Sequence, residues 1–194
     1  MFFFEYFFSR FSRVLGFARE MVMARVLGAN MFADAFLVAF RLPNTFRRFF
    51  GEGAFSAGFV PLFSQRYHGE GGIDEARRFS EEVLAIFLPA LLVFTLIGQI
   101  AMPALVWLLA SGFAGDAEKF DLTIWLSRLT FPYLMLISLV SLFSGLLNSM
   151  HRFAAAAFAP ALLNLAMLVA LLLVREGGPK TAEALSIAVV IGGI

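Results

Sequence analysis

The chain contains no cysteine, which excludes a disulfide framework, thiol chemistry and Cys-based metal centres. Histidine is almost missing as well: His68 and His151 stand far apart beside expected loops, a spacing that does not make a metal-ligand pair. Charge is scarce. Charged residues are 15% of the chain and apolar residues 60%, where a soluble domain has about 25% and 45–50%. There is no Gly-rich phosphate loop, Walker motif or zinc signature, and no serine nucleophile elbow. No catalytic constellation stands out, so an enzyme is not expected and neither is a cofactor. A solenoid-type repeat is also lacking. Arg-Val-Leu-Gly occurs at 13–16 and again at 25–28, too closely spaced to be a structural unit.

What is present is apolar sequence in membrane-sized lengths. Mean hydropathy is +0.84, and phenylalanine alone occurs 25 times. A helix crossing a bilayer needs about 20 predominantly apolar residues. Such runs are expected at 83–109, interrupted by Pro89, Gly98 and Pro103, at 122–147 with Pro132 inside, and at 153–174 with Pro160 and Asn164 inside. A further run starts at Ala182 and reads as a span cut short at Ile194. Two more segments, 2–28 and 32–63, are apolar but studded with charge and are separated by the loop signal Gly28-Ala29-Asn30. Phe2–Phe8 is interrupted by Glu5, with no basic stretch before it and no small-residue cleavage site after it, so it reads as the start of the first membrane helix. The fold class expected is an all-α polytopic membrane bundle of five to six helices.

Loop charge orients the bundle. The 65–80 stretch carries Arg66, Arg77 and Arg78, and the 148–152 turn carries Arg152, whereas 111–121 holds Asp116, Glu118 and Asp121 against Lys119. The positive-inside rule places 65–80, 148–152 and the N-terminus in the cytoplasm, and 111–121 outside. Arg175 and Lys180 fall outside under this scheme and count against it.

Seven arginines lie in the first fifty residues: Arg10, Arg13, Arg19, Arg25, Arg41, Arg47 and Arg48. A charge at the bilayer centre costs at least about 2.5–3.5 kcal/mol, so several of them require a wet cavity or an anionic ligand. Guanidinium binds phosphate through paired, charge-assisted hydrogen bonds, and phosphate is the anion these residues suit. At about 100° per residue, Asp34, Arg41, Arg48 and Glu52 fall within roughly 20° of one another on the second helix, while Pro43, Gly51 and Gly53 disturb that register. On the first helix Arg13 and Glu20 share a face and Arg19 points elsewhere. Other roles are open. Arg13 and Arg19 can snorkel to headgroups. Arg48 and Glu52, at i,i+4 spacing, can form an internal ion pair. Asp34 can cap the second helix. Without a nucleotide site, transport would draw on a gradient or the membrane potential, or would only equilibrate the substrate.

The segment Ser12-Arg13-Val14-Leu15-Gly16-Phe17-Ala18-Arg19-Glu20 resembles the first-helix signature of the MurJ-type lipid II flippases, within the multidrug/oligosaccharidyl-lipid/polysaccharide exporter superfamily. The likeness continues through Ala33-Asp34-Ala35-Phe36, Leu42-Pro43-Asn44, Arg47-Arg48, Glu52-Gly53-Ala54-Phe55-Ser56, Phe131-Pro132-Tyr133, Leu147-Asn148, Arg152-Phe153, Phe158-Ala159-Pro160 and Leu163-Asn164. It implies a two-lobe inner-membrane transporter of fourteen helices, of which this chain holds most of the N-terminal lobe. It also implies alternating access that carries undecaprenyl-diphosphate-linked peptidoglycan precursor to the outer leaflet. By motif position, Arg13, Arg19 and Arg47 are the expected substrate-binding residues, and Asp34, Glu52 and Arg48 the expected gating or structural polar residues. Lipid II, membrane lipids and cell-wall synthesis proteins are the implied partners, and nucleic acid is not. The alternatives are an exporter of another lipid-linked saccharide, and an inactive fragment. Glu5 and Arg10 add charge where the family's first helix is less polar.

Overall fold

A computed structural model describes residues 2–47, 54–150 and 154–193, with side chains described over 10–47, 57–150 and 158–193. The described residues are mainly helical and include no strand. In chain order the helices are α1 (Phe2–Val26), α2 (Met31–Arg47), α3 (Ala54–His68), α4 (Gly72–Ile100), α5 (Met102–Leu109), α6 (Ala117–Thr130), α7 (Tyr133–Ser149), α8 (Ala154–Leu173) and α9 (Pro179–Ile191), with a 3-10 turn at Ser111–Phe113. The chain is therefore an all-α bundle.

Helix boundaries follow local chemistry. The Asn30 Oδ1 accepts from the backbone N–H groups of Phe32 and Ala33, both at 3.0 Å, and so caps α2. The Asp116 Oδ1 does the same for α6, accepting from Lys119 N at 3.0 Å. Pro179 opens α9, where a missing N–H costs nothing. The helix therefore begins three residues before the expected start at Ala182.

The proline breaks are more informative. Pro132 cannot donate to the carbonyl four residues back, that of Arg128. The Gln99 Nε2 from α4 donates to that carbonyl instead, at 2.9 Å. Pro43 frees the carbonyl of Ala39 in the same way, and the buried Thr130 hydroxyl donates to it at 2.9 Å. A backbone carbonyl left unpaired in a membrane interior costs several kcal/mol, so each side chain removes a penalty and ties two helices together. The expected single run 122–147 is accordingly two helices, α6 and α7, hinged at Phe131-Pro132. The expected run 83–109 divides at Ala101 into α4 and α5, with Pro103 in the first turn of α5, and α4 begins at Gly72 because an amphipathic stretch precedes its apolar part.

The expected helix 32–63 also differs. Its two ends lie on separate helices with largely different neighbours: α2 packs on α6, α7 and α9, whereas α3 packs on α4 and α7. Residues 48–53 fall outside the described stretches. α1 packs chiefly on α8.

Three apolar clusters hold the bundle. One joins α1, α2, α6, α8 and α9 through Met23, Phe36, Leu126, Met167 and Leu185. A second joins α3, α4 and α7 through Phe59, Phe63, Phe87 and Leu142. The third surrounds Phe131 with Leu42, Met102, Val106 and Leu134. The outer surface is also apolar: Ile86, Leu92, Val93, Leu96, Ile97 and Ile100 on α4 are all exposed, Ile100 to 80%. A patch of that size on a soluble protein would drive association, whereas here it is the surface a bilayer covers. Gly72–Ile100 and the kinked run Ala117–Ser149 each have the length and apolarity of a membrane span.

Gly98 marks the tightest crossing. A Cβ there would run into the fully buried ring of Phe131, which has no space to swing aside. Gly98→Ala is expected to destabilise the bundle by roughly 1–3 kcal/mol through overpacking, read as a lowered thermal midpoint in detergent. An unchanged midpoint would show that α4 shifts freely at this crossing.

Candidate functional site

Asn164 marks the middle of α8. The 20 residues of this helix span about 30 Å at 1.5 Å per residue, one hydrocarbon thickness, and Asn164 is the eleventh of them. This side chain faces α1. Its Nδ2 donates to the Ser12 carbonyl at 3.2 Å and lies 3.5 Å from the Ser12 hydroxyl, while its Oδ1 accepts from Arg19 Nη1 at 2.8 Å. Gly16 faces Asn164, and a Cβ there would meet it at ordinary contact distance, 3.5 Å from Nδ2. The Arg19 guanidinium thus enters the α1–α8 interface near the middle of α8. Its Nη1 is also 3.7 Å from the Met167 sulfur, its Nη2 pairs with Glu20, and its Nε is buried without a hydrogen-bond partner.

Arg13 follows Ser12 directly and shares that depth. It is the twelfth of 25 residues in α1, so the helix ends are roughly 16 and 20 Å away along the axis. That is too far for an arginine to reach headgroups by snorkelling in a helix that stands upright. Its side chain is exposed. Arg13 and Arg19 are 600° apart around α1, so Arg19 enters the α8 interface and Arg13 lies on a neighbouring face.

On α2 the buried face is Ala33, Ala35, Phe36, Ala39, Leu42 and Pro43, and the opposite face exposes Asp34 and Arg41. These two share a stripe as expected. Arg48 and Glu52, expected to continue it, lie outside the described residues. Arg41, Asn44, Thr45 and the half-buried Arg47 line a polar cavity of about 430 Å³. It lies 10 to 16 residues along α2, roughly 15–24 Å from the start of the helix. Neither Arg13 nor Arg19 lines this cavity. The structure therefore places the expected binding arginines in two groups, one on α1 and one on α2.

Asp34 does not cap α2, since Asn30 does. Its Oδ2 instead meets the Lys119 ammonium of α6 at 2.6 Å, and that ammonium lies over the Phe113 ring at 4.0 Å. The pair joins α2 to α6 at the end of the bundle that carries the Gly28–Asn30 turn. A cavity of about 720 Å³ between α8 and α9 is lined by Leu, Ile, Val, Ala and Gly. It offers no charge to an anion.

Two residues received no role from the sequence. Asn164 stands in the Leu163-Asn164 part of the family likeness and inside an apolar run, where a lone amide is itself a functional signal. Lys119 had been counted only as loop charge.

An all-helical bundle with an apolar outer surface, carrying guanidinium groups near the middle of its helices, defines a polytopic membrane protein with internal polar sites. A family profile described as lipid II flippase MurJ matches residues 23–194, and the chain belongs to that family. It is 52% identical over 187 residues to a probable lipid II flippase MurJ of Rhizobium tropici, covering 94% of this chain and 35% of that protein. It is 39% identical over 187 residues to a lipid II flippase MurJ of Burkholderia cenocepacia, covering 96% of this chain and 36% of that one. A solved lipid II flippase MurJ in an inward closed conformation superposes with a TM-score of 0.80 at 25% identity, over 100% of this chain and 40% of the other. The chain thus spans about a third of the length of these curated relatives.

Proposed function

We propose that the chain forms most of the N-terminal lobe of a lipid II flippase of the cytoplasmic membrane. In this reading Arg13, Arg19 and Arg47 receive the diphosphate of the undecaprenyl-linked precursor as it crosses by alternating access. The observation that carries the reading is an exposed Arg13 at mid-bilayer depth, one residue from the Ser12 that Asn164 anchors. An exposed guanidinium there needs water or an anion beside it, and a lipid-linked diphosphate crossing the membrane supplies the anion. Arg41 and Arg47 on their polar cavity supply a second cationic group, on α2. Arg48, Glu52 and Asp34 are assigned gating or structural roles by motif position. The test is complementation of a flippase-depleted bacterium by the complete protein, with lipid II accessibility at the outer leaflet as readout. Failure to expose lipid II despite normal membrane insertion would overturn the reading in favour of another lipid-linked saccharide or an inactive protein.

The same proposal puts the N-terminus and the 65–80 and 148–152 segments in the cytoplasm, with 111–121 outside. The native chain has no cysteine, so single-cysteine labelling is clean. A cysteine replacing Ser111 is expected to react with an impermeant maleimide in intact cells, and one replacing Gly71 only after permeabilisation. The reverse pattern would invert the topology.

A further inference from the structure

At the end of the bundle that carries the Gly28–Asn30 turn, four cationic side chains lie within two residues of a helix end or in a first turn: Arg25, Lys119, Arg175 and Lys180. Two are matched by carboxylates, Lys119 by Asp34 at 2.6 Å and Lys180 by Glu176 at 3.3 Å. Arg25 and Arg175 have no carboxylate partner among the described residues. They line a cavity of about 470 Å³ between α1 and α8, whose other walls are Val22, Val26, Leu171 and Leu172. One edge of the Arg175 guanidinium is engaged, with Nε donating to the Leu172 carbonyl at 3.0 Å. Its terminal nitrogens make no hydrogen bond to the described residues.

The cavity is held in shape by the loop beside it. Gly177 takes a positive φ of 70°, and a Cβ there would lie 2.7 Å from the Val26 carbonyl oxygen, so this close approach requires glycine. The Asn30 Nδ2 reaches the Gly177 carbonyl at 3.4 Å. The Thr181 hydroxyl accepts from Gly177 N and donates to the Val174 carbonyl, both at 3.2 Å. The turn that carries Arg175 is therefore fastened to the end of α1 that carries Arg25.

Depth decides which anion suits the pair. Arg175 is eleven residues beyond Asn164, which places it roughly 15 Å from the midplane, where the hydrocarbon of a bilayer gives way to headgroups. We infer that Arg25 and Arg175 form a binding site for the phosphate of a membrane phospholipid, with its acyl chains lying against Val22, Val26, Leu171 and Leu172. Basic pockets between membrane helices bind lipid headgroups through this combination of charge and apolar wall. Bound there, the lipid bridges α1 and α8, the two helices that hold Arg19. The site is independent of the lipid II reading, since it needs only a membrane.

The test is native mass spectrometry of the delipidated complete protein titrated with phosphatidylglycerol, with diacylglycerol of the same chains, and with inorganic phosphate as competitor. The wild type is expected to hold one phosphatidylglycerol with at least tenfold higher affinity than the R25Q/R175Q double variant. Arg78→Gln, which removes the same charge from the exposed start of α4, is expected to match the wild type. Leu172→Glu, which sets a carboxylate on the cavity wall while keeping both arginines, is expected to weaken binding as well, and it provides the answer should the double variant not fold. Equal phosphatidylglycerol binding by the double variant, or by Leu172→Glu, would overturn the site. Equal uptake of diacylglycerol would reduce it to an apolar groove, and displacement by inorganic phosphate would make it a free-anion site; either result overturns the headgroup assignment.

Discussion

Replacing Arg19 by alanine in the complete protein is expected to lower lipid II flipping by roughly ten- to hundredfold. A hydrogen bond to a charged group contributes about 1.5–3 kcal/mol, and each 1.4 kcal/mol is a factor of ten in affinity. Arg19 also donates to Asn164 at 2.8 Å and pairs with Glu20, so part of the loss in Arg19→Ala comes from looser docking of α1 on α8. Arg13→Ala separates the two effects. Arg13 is exposed, so its removal is expected to reduce flipping to a similar degree without lowering the thermal midpoint. Lysine keeps the charge at either position but loses the planar fork that matches two phosphate oxygens, and is expected to restore activity only partly. Arg78→Ala, on the exposed start of α4, is expected to be nearly silent. The measurement is lipid II accessibility at the outer leaflet in a flippase-depleted strain, normalised to membrane-inserted protein. Normal flipping by well-expressed Arg13→Ala and Arg19→Ala proteins would sink the diphosphate role.

The arginines themselves were legible in the sequence because charge in an apolar chain is conspicuous, and the family motif then picked out particular ones. The Asp34–Arg41 stripe was legible because seven residues make nearly two helical turns. What could not be read was the partner of each group. Asp34 meets Lys119 across 85 positions and Arg19 meets Asn164 across 145, and no local periodicity encodes such distances. The proline positions announced kinks, but their repair was hidden. Gln99 takes the carbonyl that Pro132 frees, and Thr130 the one that Pro43 frees, and in each case the donor comes from a different helix. The segment 32–63 read as one helix because its hydropathy is continuous, yet α2 and α3 pack on largely different neighbours. Hydropathy reports only that a residue is apolar, and packing decides which helix it faces.

Asn164→Leu is expected to reduce flipping at least tenfold while leaving all three proposed binding arginines, Arg13, Arg19 and Arg47, in the sequence. The side chain performs two tasks at once. Its Oδ1 accepts from the Arg19 guanidinium, and its Nδ2 donates to the Ser12 carbonyl four residues before the empty Cβ position of Gly16. Leucine has a similar volume but offers neither bond. The guanidinium, whose Nε already lacks a partner, would lose a further acceptor while remaining partly buried, at a cost of about 1.5–3 kcal/mol. Because α1 packs chiefly on α8, that cost falls on the docking of the helix that carries Arg13. The thermal midpoint is therefore expected to fall along with activity, in contrast to Arg13→Ala. Asn164→Asp distinguishes acceptor from donor. It keeps an oxygen for Arg19 and adds a matching charge, but loses the amide that holds Ser12. If Asp restores flipping substantially and Leu does not, the Arg19 contact is the essential one. If both variants flip lipid II as well as the wild type, Arg19 needs no partner on α8 and the mid-bilayer network has no part in transport.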